Sequence, residues 1–547
     1  MNSSMYTRST LAAAIAAAIA AGNAAAIEIT TTNVNSTNLP AAQVLYMSGA
    51  SAQDGAILAT MRKLCFSADG DPDGAGPLVP DGIINPQNAW DTVTLDVYNG
   101  PSNQRIYFCT AGPGAGAAAG LPIMLLKESN GSLNGVGPVG ASTTLGFMNY
   151  DLPALVSNCA GTAATDNSGT STLPGYRSRS CGTSTTTYPL EQVIPESGVT
   201  DVEPNMFVKA SLATQDAVDN LAQINADNQV IFGVPVNLKL YKALQEAQFT
   251  NDTLLNGVGC HPSDPDYSVS AGTFNGGTNR IIGDTEACMP SLSKEVISSL
   301  YRGAGNGGIT NWSKLENAAG TALTALASTA PLSNNVHICR RIDGSGSQQT
   351  ANMFFLNYPC EATAPQMPGA NGSTVFEGAG TGNVLQCLDS RDGEGKWAIG
   401  IASSENVAQK LATDRNDWRF IKVDGYAPTL LNAANGKYQF WVEQVFTNRG
   451  TLTAEEQGVY DGLVALLKDP VAIKSFNTSF EQSFGAAGLL GLPNAGEGRV
   501  PPAKPITATN IIDNPVNTAI RAGFEGGSPN NCQTPLVTED KEVTLLP

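Results

Sequence analysis

Charged residues are scarce in this sequence. Only 14% of its 547 residues are Asp, Glu, Lys or Arg, and acidic residues outnumber basic ones by 48 to 30. The chain contains no run of Lys and Arg, although proteins gain affinity for nucleic acid from cationic contacts to phosphate groups. The composition therefore argues against nucleic acid as a partner.

Histidine is almost absent. His261 and His337 are the two imidazoles of the chain, and no pair of cysteines has C-x-x-C spacing. We therefore expect no zinc site, no other metal and no cofactor. The segment "GSGSQ" (344–348) also falls short of the G-x-S-x-G turn of serine hydrolases, because Gln348 stands at its second glycine position. These absences favour a protein that is not an enzyme.

Long hydrophobic runs are missing after the N-terminus. The first residues, "MNSSMYTRSTLAAAIAAAIAAGNAAAIEI", combine Arg8, a short apolar core at 11–21 and an A-x-A cleavage pattern at Ala24–Ala26. This arrangement predicts a secretory signal peptide over residues 1–26. No cysteine lies near the cleavage site, so we expect no lipid anchor. No later apolar run is long enough to predict a transmembrane segment. We expect a periplasmic or secreted protein.

The ten cysteines fit export, because an even number without metal-ligand spacing is typical of disulfides in an oxidising compartment. The sequence does not fix their connectivity. Pairing between sequence neighbours is one hypothesis: 65–109, 159–181, 260–288, 339–360 and 387–532.

Hydrophobic patterns predict an α/β protein with largely parallel sheets. Predicted strands are 41–49, 93–98, 229–238, 334–341 and 397–403, and predicted helices are 53–64, 207–224, 291–302, 346–357 and 453–467. The Gly-, Ser-, Thr- and Pro-rich stretches between them predict surface insertions at 67–90, 110–121, 158–190, 256–280 and 361–385.

The segment "RRIDGSGSQQTANMFF" (340–355) has the composition of an anion site. Gly344 and Gly346 allow a sharp turn after a predicted strand, and the following helix start offers unpaired N–H donors and the positive end of its dipole. Ser345 and Ser347 add hydroxyl donors, and Arg341 can bind two oxygens with its planar guanidinium. An alternative stays open at this point: a simple helix cap in which Arg341 pairs with Asp343.

Three motifs resemble the periplasmic phosphate-binding protein of bacterial phosphate ABC transporters. "RIDGSGS" (341–347) is similar to that family's R-x-D-G-S-G-T segment, "GGITNWSKL" (307–315) to its I-T-N-W motif, and "WAIGIASSEN" (397–406) to its G-A-I-G-Y strand. Weaker similarities are "GASAQD" (49–54), "NGSLNGVG" (130–137) and "GVTD" (198–201).

The resemblance implies a two-lobed type 2 periplasmic-binding-protein-like fold with a ligand cleft between the lobes. Lobe 1 would contain residues 27–236 and 406–547, and lobe 2 residues 237–405. The anion-binding residues implied for lobe 2 are Arg341, Ser345, Gly346 and Ser347. Those implied for lobe 1 are Asp201 and Ser132, with Ser51 as a hydroxyl donor on the first loop.

Asp201 matters for ligand choice. A carboxylate accepts a hydrogen bond from a protonated oxyanion such as phosphate and repels fully ionised sulfate. A surface turn or a helix cap is the alternative role for this residue. The first loop departs from the family, since Gln53 and Asp54 replace its Thr and Phe. Asp54 would repel an anion unless it points away or pairs with a cation.

The resemblance thus implies an exported solute-binding protein that captures phosphate or a similar oxyanion, with hinge closure and with an ABC permease as a possible partner. The alternative is a secreted or surface protein that reuses this fold for adhesion, matrix building or phosphatase-like activity. The long insertions, the missing lipid anchor and the altered first loop favour this alternative.

Overall fold

The computed structural model describes most of the chain between residues 43 and 537. The described ranges are 43–65, 93–150, 190–222, 225–249, 282–303, 307–407, 417–478, 481–494, 498–521 and 529–537, with short pieces between 159 and 188 and between 254 and 267. The predicted signal peptide (1–26) and the predicted insertion 67–90 lie outside these residues. Within them, no helix is both long and apolar enough to cross a membrane.

The protein is mixed α/β. A large sheet, called the first sheet, has the strand order Asn225–Asn237, Trp441–Asn448, Ser197–Thr200, Val44–Gly49, Pro122–Glu128, Gln104–Thr110, Val93–Asn99, Gly175–Ser180 and Ala164–Thr165. Leu489–Gly491 pairs with the other edge of Asn225–Asn237.

Strand directions in the first sheet are mixed, so the prediction of largely parallel sheets is wrong. Val44–Gly49 runs parallel to both neighbours, whereas Gln104–Thr110 runs antiparallel to both. The reason is local: residues 100–103 join Val93–Asn99 to Gln104–Thr110, and a connection this short can only form a hairpin.

One long strand belongs to two sheets. The Asn225–Ile231 part of Asn225–Asn237 pairs in the first sheet, and Val234–Asn237 pairs with Trp418–Val423 in the second sheet. The strand order of the second sheet is Val375–Gly378, His337–Arg341, Ala398–Gly400, Asn225–Asn237 and Trp418–Val423. Trp418–Val423 follows residue 405, so the second sheet includes chain that the predicted division assigns to lobe 1.

Helices of eight residues or more cover the sheets. They are Asp54–Leu64, Leu238–Gln248, Lys294–Arg302, Gly346–Leu356, Thr381–Gly393, Ala454–Lys468 and Pro470–Asn477. The single helix predicted over 207–224 is wrong. The chain forms two shorter helices there, Pro204–Lys209 and Gln215–Asp219, because Ser211 adopts φ 59° and Thr214 caps the second helix.

Two predicted surface insertions contain secondary structure, although much of each segment is exposed. Segment 110–121 contains the 3-10 helix Pro113–Ala118, which packs on Ala454–Lys468 where Gly458 and Gly462 permit backbone contact. Segment 361–385 contains the strand Val375–Gly378 and the start of a helix. The small residues of these segments are not explained by close contacts throughout, because a Cβ added at Gly120, Gly369 or Gly372 would meet no atom within 4 Å. Most of 158–190 and 256–280 lies outside the described residues.

All ten cysteines form disulfides. Three predicted pairs are confirmed: Cys65–Cys109, Cys159–Cys181 and Cys260–Cys288. The other two predicted pairs, 339–360 and 387–532, are wrong. The bonds are Cys339–Cys387 and Cys360–Cys532, because strand His337–Arg341 lies against helix Thr381–Gly393, while Cys360 lies beyond the end of helix Gly346–Leu356.

Candidate anion-binding site

Arg341 ends the strand His337–Arg341 and is 1% exposed. Its Nη1 donates to Ser51 Oγ at 3.2 Å and to Thr381 Oγ1 at 3.0 Å, and its Nη2 donates to the Ala379 carbonyl at 2.6 Å. Burial lowers the pKa of this guanidinium to about 10. Among the described residues, no carboxylate forms an ion pair with it. The site therefore holds a buried cation bound mainly to neutral oxygens.

The alternative pairing of Arg341 with Asp343 is wrong. Asp343 forms its ion pair with Arg340, whose Nη1 also donates to the carbonyls of Met367 and Pro368 at 3.1 and 2.9 Å. Successive residues of a strand point to opposite faces, so the two arginines have separate surroundings. Arg340 holds the turn at Asp343 against residues 367–368, and Arg341 points to the opposite face, toward Ser51 and Thr381.

Asp201 follows the strand Ser197–Thr200 of the first sheet and is 1% exposed. Its Oδ2 accepts from Ser132 Oγ at 3.3 Å and from Ser347 Oγ at 3.4 Å, and its Oδ1 accepts from Gln444 Nε2 at 2.9 Å. Burial raises the pKa of this carboxyl, and Arg341 opposes that shift. The alternative role as an exposed turn or a helix cap is wrong.

The start of helix Gly346–Leu356 lies directly against the first sheet's loop at Ser132. A Cβ added to Gly346 would lie 2.4 Å from Ser132 Oγ and 2.6 Å from Asp201 Cβ, so this contact requires glycine. The Leu133 N–H donates to the Gly344 carbonyl at 2.8 Å. Loops from the two sheets therefore meet at this point.

Ser345 begins the same helix. It caps the helix without a side-chain hydrogen bond, and its buried Oγ has no partner within the described residues. Arg341 Nε is in the same situation. Both are hydrogen-bond donors, and such groups are rarely left unsatisfied when buried.

The first loop carries the departures from the family pattern. Asp54 pairs with Arg105 at 2.8 Å, and its Oδ1 accepts from Ser129 Oγ at 2.7 Å. The charge of Asp54 is thus compensated by a cation, as is required if an anion is to bind nearby. Gln53 is fully buried, and neither atom of its amide has a partner in the described part of the chain.

Lys127 adds a second buried cation beneath this loop. Its Nζ donates to the carbonyls of Ala50 and Glu128 at 3.3 and 2.7 Å and to Ser129 Oγ at 3.0 Å. Burial lowers the pKa of this ammonium. The charges of Asp54, Glu128 and Asp201 oppose that shift, so this cation lies among carboxylates.

Sequence reasoning missed four residues of this region: Thr381, Gln444, Arg105 and Lys127. A weak signal exists for three of them, because Arg105, Lys127 and Gln444 each lie beside an apolar run of a strand, although Gln104, Glu128 and Glu443 next to them are polar as well. Thr381 follows a Gly-rich turn and gives no such signal. Over the described ranges, no cluster of three His, Cys, Asp or Glu side chains could hold a metal ion.

No protein-family model and no curated protein matches the chain. Among solved structures, the chain is similar to a phosphate ABC transporter substrate-binding protein of Clostridium perfringens, at 11% identity and a TM-score of 0.37 over 80% of this chain and 97% of that chain. It is also similar to PstS of Borrelia burgdorferi, at 10% identity and a TM-score of 0.30 over 82% and 98%.

A third similar structure is an ABC-type phosphate transport receptor of Vibrio cholerae, at 12% identity and a TM-score of 0.27 over 53% of this chain and 80% of that chain. With TM-scores below 0.5, these similarities assign neither a ligand nor an activity. The chain resembles substrate-binding proteins of phosphate transport, as its motifs do.

Proposed function

We propose that this chain is an exported solute-binding protein that captures phosphate, or a similar protonated oxyanion, between two hinged lobes. The ligand would lie among Arg341, Ser345, Ser347, Ser132 and Asp201. Five disulfides fit a periplasmic or secreted location. Delivery to an ABC permease is the transport step that we propose, and binding without catalysis is its chemistry.

One observation carries the proposal: the buried Arg341 guanidinium has no ion pair among the described residues. A buried charge is costly unless another charge or several hydrogen bonds compensate for it. Arg341 Nε and Ser345 Oγ are donors without partners there. A bound oxyanion would accept from both, and its charge would balance the guanidinium.

Asp201 supports a protonated oxyanion over sulfate. Burial raises the pKa of Asp201, while the charge of Arg341 and the donors Gln444, Ser132 and Ser347 favour its ionised form. An ionised carboxylate can only accept hydrogen bonds. It would therefore bind the O–H of hydrogen phosphate and repel sulfate.

Calorimetric titration of the purified chain with phosphate, arsenate and sulfate tests this function. We expect phosphate and arsenate to bind and sulfate to bind weakly. In Arg341→Ala, phosphate affinity should fall by about a hundredfold or more, as for removal of one partner of a buried charge pair. Arg341→Lys keeps the charge but lacks the planar guanidinium, so its phosphate affinity should lie between those of the wild type and Arg341→Ala.

The matched control is Arg391→Ala. Arg391 lies near the far end of helix Thr381–Gly393 and donates to Glu394, so its removal changes the net charge equally without touching the site. Circular dichroism would establish that each variant is folded. Absence of phosphate binding by the wild type, or equal effects of the two alanine variants, would overturn the proposal.

A further inference from the structure

One disulfide joins the two sheets. Cys360 follows helix Gly346–Leu356, whose N-terminus carries Ser345 and Ser347 and which follows a strand of the second sheet. Cys532 belongs to a C-terminal segment that lies on the first sheet. The Cys360–Cys532 bond therefore connects the helix of the candidate site to the opposite side of the cleft.

The attachment of Cys532 to the first sheet is specific. Its neighbour Asn531 donates from its backbone N–H and from Nδ2 to Glu203 Oε2, at 3.0 and 2.6 Å. The Glu443 N–H donates to Asn531 Oδ1 at 2.9 Å, and Glu443 lies in the strand Trp441–Asn448. These bonds are buried, and they attach the residue before Cys532 to Glu203, which is two residues after Asp201 in the sequence.

Other disulfides stay within one side. Cys65–Cys109 links the end of helix Asp54–Leu64 to a strand of the first sheet. Cys339–Cys387 links a strand of the second sheet to helix Thr381–Gly393. Each of these bonds would move with its own lobe when a cleft opens. Cys360–Cys532 spans both sides and would resist their separation.

The same disulfide is the accessible one. Cys360 and Cys532 are both partly exposed. The other eight cysteines are buried, with exposures between 0% and 7%. Lys209 Nζ lies 3.9 Å from Cys532 Sγ. A nearby ammonium stabilises a thiolate, and a more stable thiolate is the better leaving group in thiol–disulfide exchange.

We propose that Cys360–Cys532 is a redox-controlled tether that limits how far the two sides of the anion cleft can open. This proposal rests on the proposed function, because it assumes that the oxyanion enters and leaves when the cleft opens. While the bond is intact, helix Gly346–Leu356 is held near Ser132 and Asp201, and a bound oxyanion leaves slowly. Reduction removes this covalent link, so that only non-covalent contacts such as the packing of Phe354 on Phe440 hold the helix end, and lets the cleft open wider.

The exchange reaction requires a dithiol reductant. One thiolate of the dithiol attacks Cys360 Sγ, and the Cys360–Cys532 bond breaks to release a Cys532 thiolate beside Lys209. The second thiolate of the reductant then attacks the mixed disulfide and releases Cys360 as a thiolate. The protein gains two electrons and, after protonation, two thiols, while the dithiol becomes a disulfide.

The first test uses the wild-type chain. Graded dithiothreitol, alkylation and peptide mass spectrometry should show Cys360 and Cys532 labelled before any other cysteine. At that degree of reduction, the dissociation rate of phosphate should rise by about tenfold or more, because changes at one interface act mostly on dissociation. Labelling of a buried pair first would overturn the proposal.

The second test uses variants. Cys360→Ser with Cys532→Ser should show the same faster release without reductant, and amide exchange at residues 131–135 and 342–347 should quicken. The matched control, Cys65→Ser with Cys109→Ser, also loses one disulfide but should keep wild-type values. An unchanged release rate and exchange in the first double variant would overturn the tether.

These outcomes separate the two proposals. If the wild type binds no phosphate but the Cys360/Cys532 double variant exchanges faster at the two loops, the proposed ligand is wrong and the tether stands. If phosphate binds and both double variants release it at the same rate, the ligand stands and the tether is wrong.

Discussion

Gly346 is the residue at which the two sides of the candidate site come closest. A methyl group there would overlap Ser132 Oγ and Asp201 Cβ. We expect Gly346→Ala to lower phosphate affinity by about tenfold or more, since overpacking of a tight contact costs about 1–3 kcal/mol. Titration calorimetry measures the change.

Gly382→Ala is the control for that variant. Gly382 also lies in the first turn of a helix, and a Cβ there would meet no atom within 4 Å. Its affinity for phosphate should equal that of the wild type. A Gly346→Ala protein with unchanged affinity would show that this contact does not limit closure around the ligand.

A second prediction for a single residue concerns Asp201 and the choice between phosphate and sulfate. In Asp201→Asn the side chain keeps its shape but gains an N–H group, which can donate a hydrogen bond to an oxygen of a fully ionised anion. Sulfate affinity should rise and phosphate affinity fall, each by about tenfold, the range for a buried hydrogen bond to a charged group. Competition titrations at pH 8 give the ratio. A sulfate affinity that stays as weak as in the wild type would contradict this role.

The residue scale also marks a limit of prediction from sequence. The anion segment was identified from Arg341, the two serines and the glycines, and Ser132, Asp201 and Ser347 do lie together. Which arginine pairs with Asp343 could not be read from the sequence, because Arg340 and Arg341 are adjacent and the strand's orientation decides. Gln444 and Thr381 are distant in sequence, and only the tertiary fold brings them near Asp201 and Arg341.

At the scale of elements, local patterns found some strands and helices but missed others, among them strands Gln104–Thr110 and Trp441–Asn448 and helix Thr381–Gly393. Strand 93–98 and helix 53–64 agree with Val93–Asn99 and Asp54–Leu64 within one residue. The helix predicted over 207–224 failed because its apolar spacing continues through Ser211, whose left-handed backbone breaks the helix. The pairing of Cys360 with Cys532, 172 residues apart, depends on packing that no local pattern encodes.

Glu196 connects two strands of the first sheet and gives a prediction about pH. It precedes strand Ser197–Thr200, and its Oε2 accepts from the Tyr46 N–H at 2.8 Å. Burial raises the pKa of this carboxyl from 4.5 to about 7. The folded chain then binds more protons than the unfolded chain between these pH values. Its free energy of unfolding should therefore fall as pH rises from about 4.5 to 7.

Glu196→Gln tests this prediction, because the amide oxygen can still accept from Tyr46 but does not titrate. The midpoint of thermal unfolding should decrease more from pH 5 to pH 8 in the wild type than in the variant. Glu456 and Arg449 also act on Glu196, and both remain in the variant. Parallel pH curves for the two proteins would show that Glu196 does not contribute.

At the scale of the whole molecule, the shared strand Asn225–Asn237 and the Cys360–Cys532 bond are two connections between the sheets at different places. The strand gives a continuous backbone path on which a hinge can form. The disulfide links the end of helix Gly346–Leu356 to the other side. A lobe that rotates about the strand would change the distance across the cleft, so the disulfide is expected to limit that rotation.

The hydrogen bond from the Leu133 N–H to the Gly344 carbonyl reports on this motion, because it joins loops of the two sheets and is lost when they separate. Saturating phosphate should slow amide exchange in a peptide containing Leu133, since a ligand stabilises the state that binds it. A peptide from strand Gln104–Thr110, whose bonds lie within the first sheet, should be unaffected. The effect of phosphate should be larger after selective reduction of Cys360–Cys532, because the tether no longer keeps the ligand-free cleft nearly closed. Equal exchange at Leu133 with and without phosphate, in both redox states, would mean that the two loops do not separate.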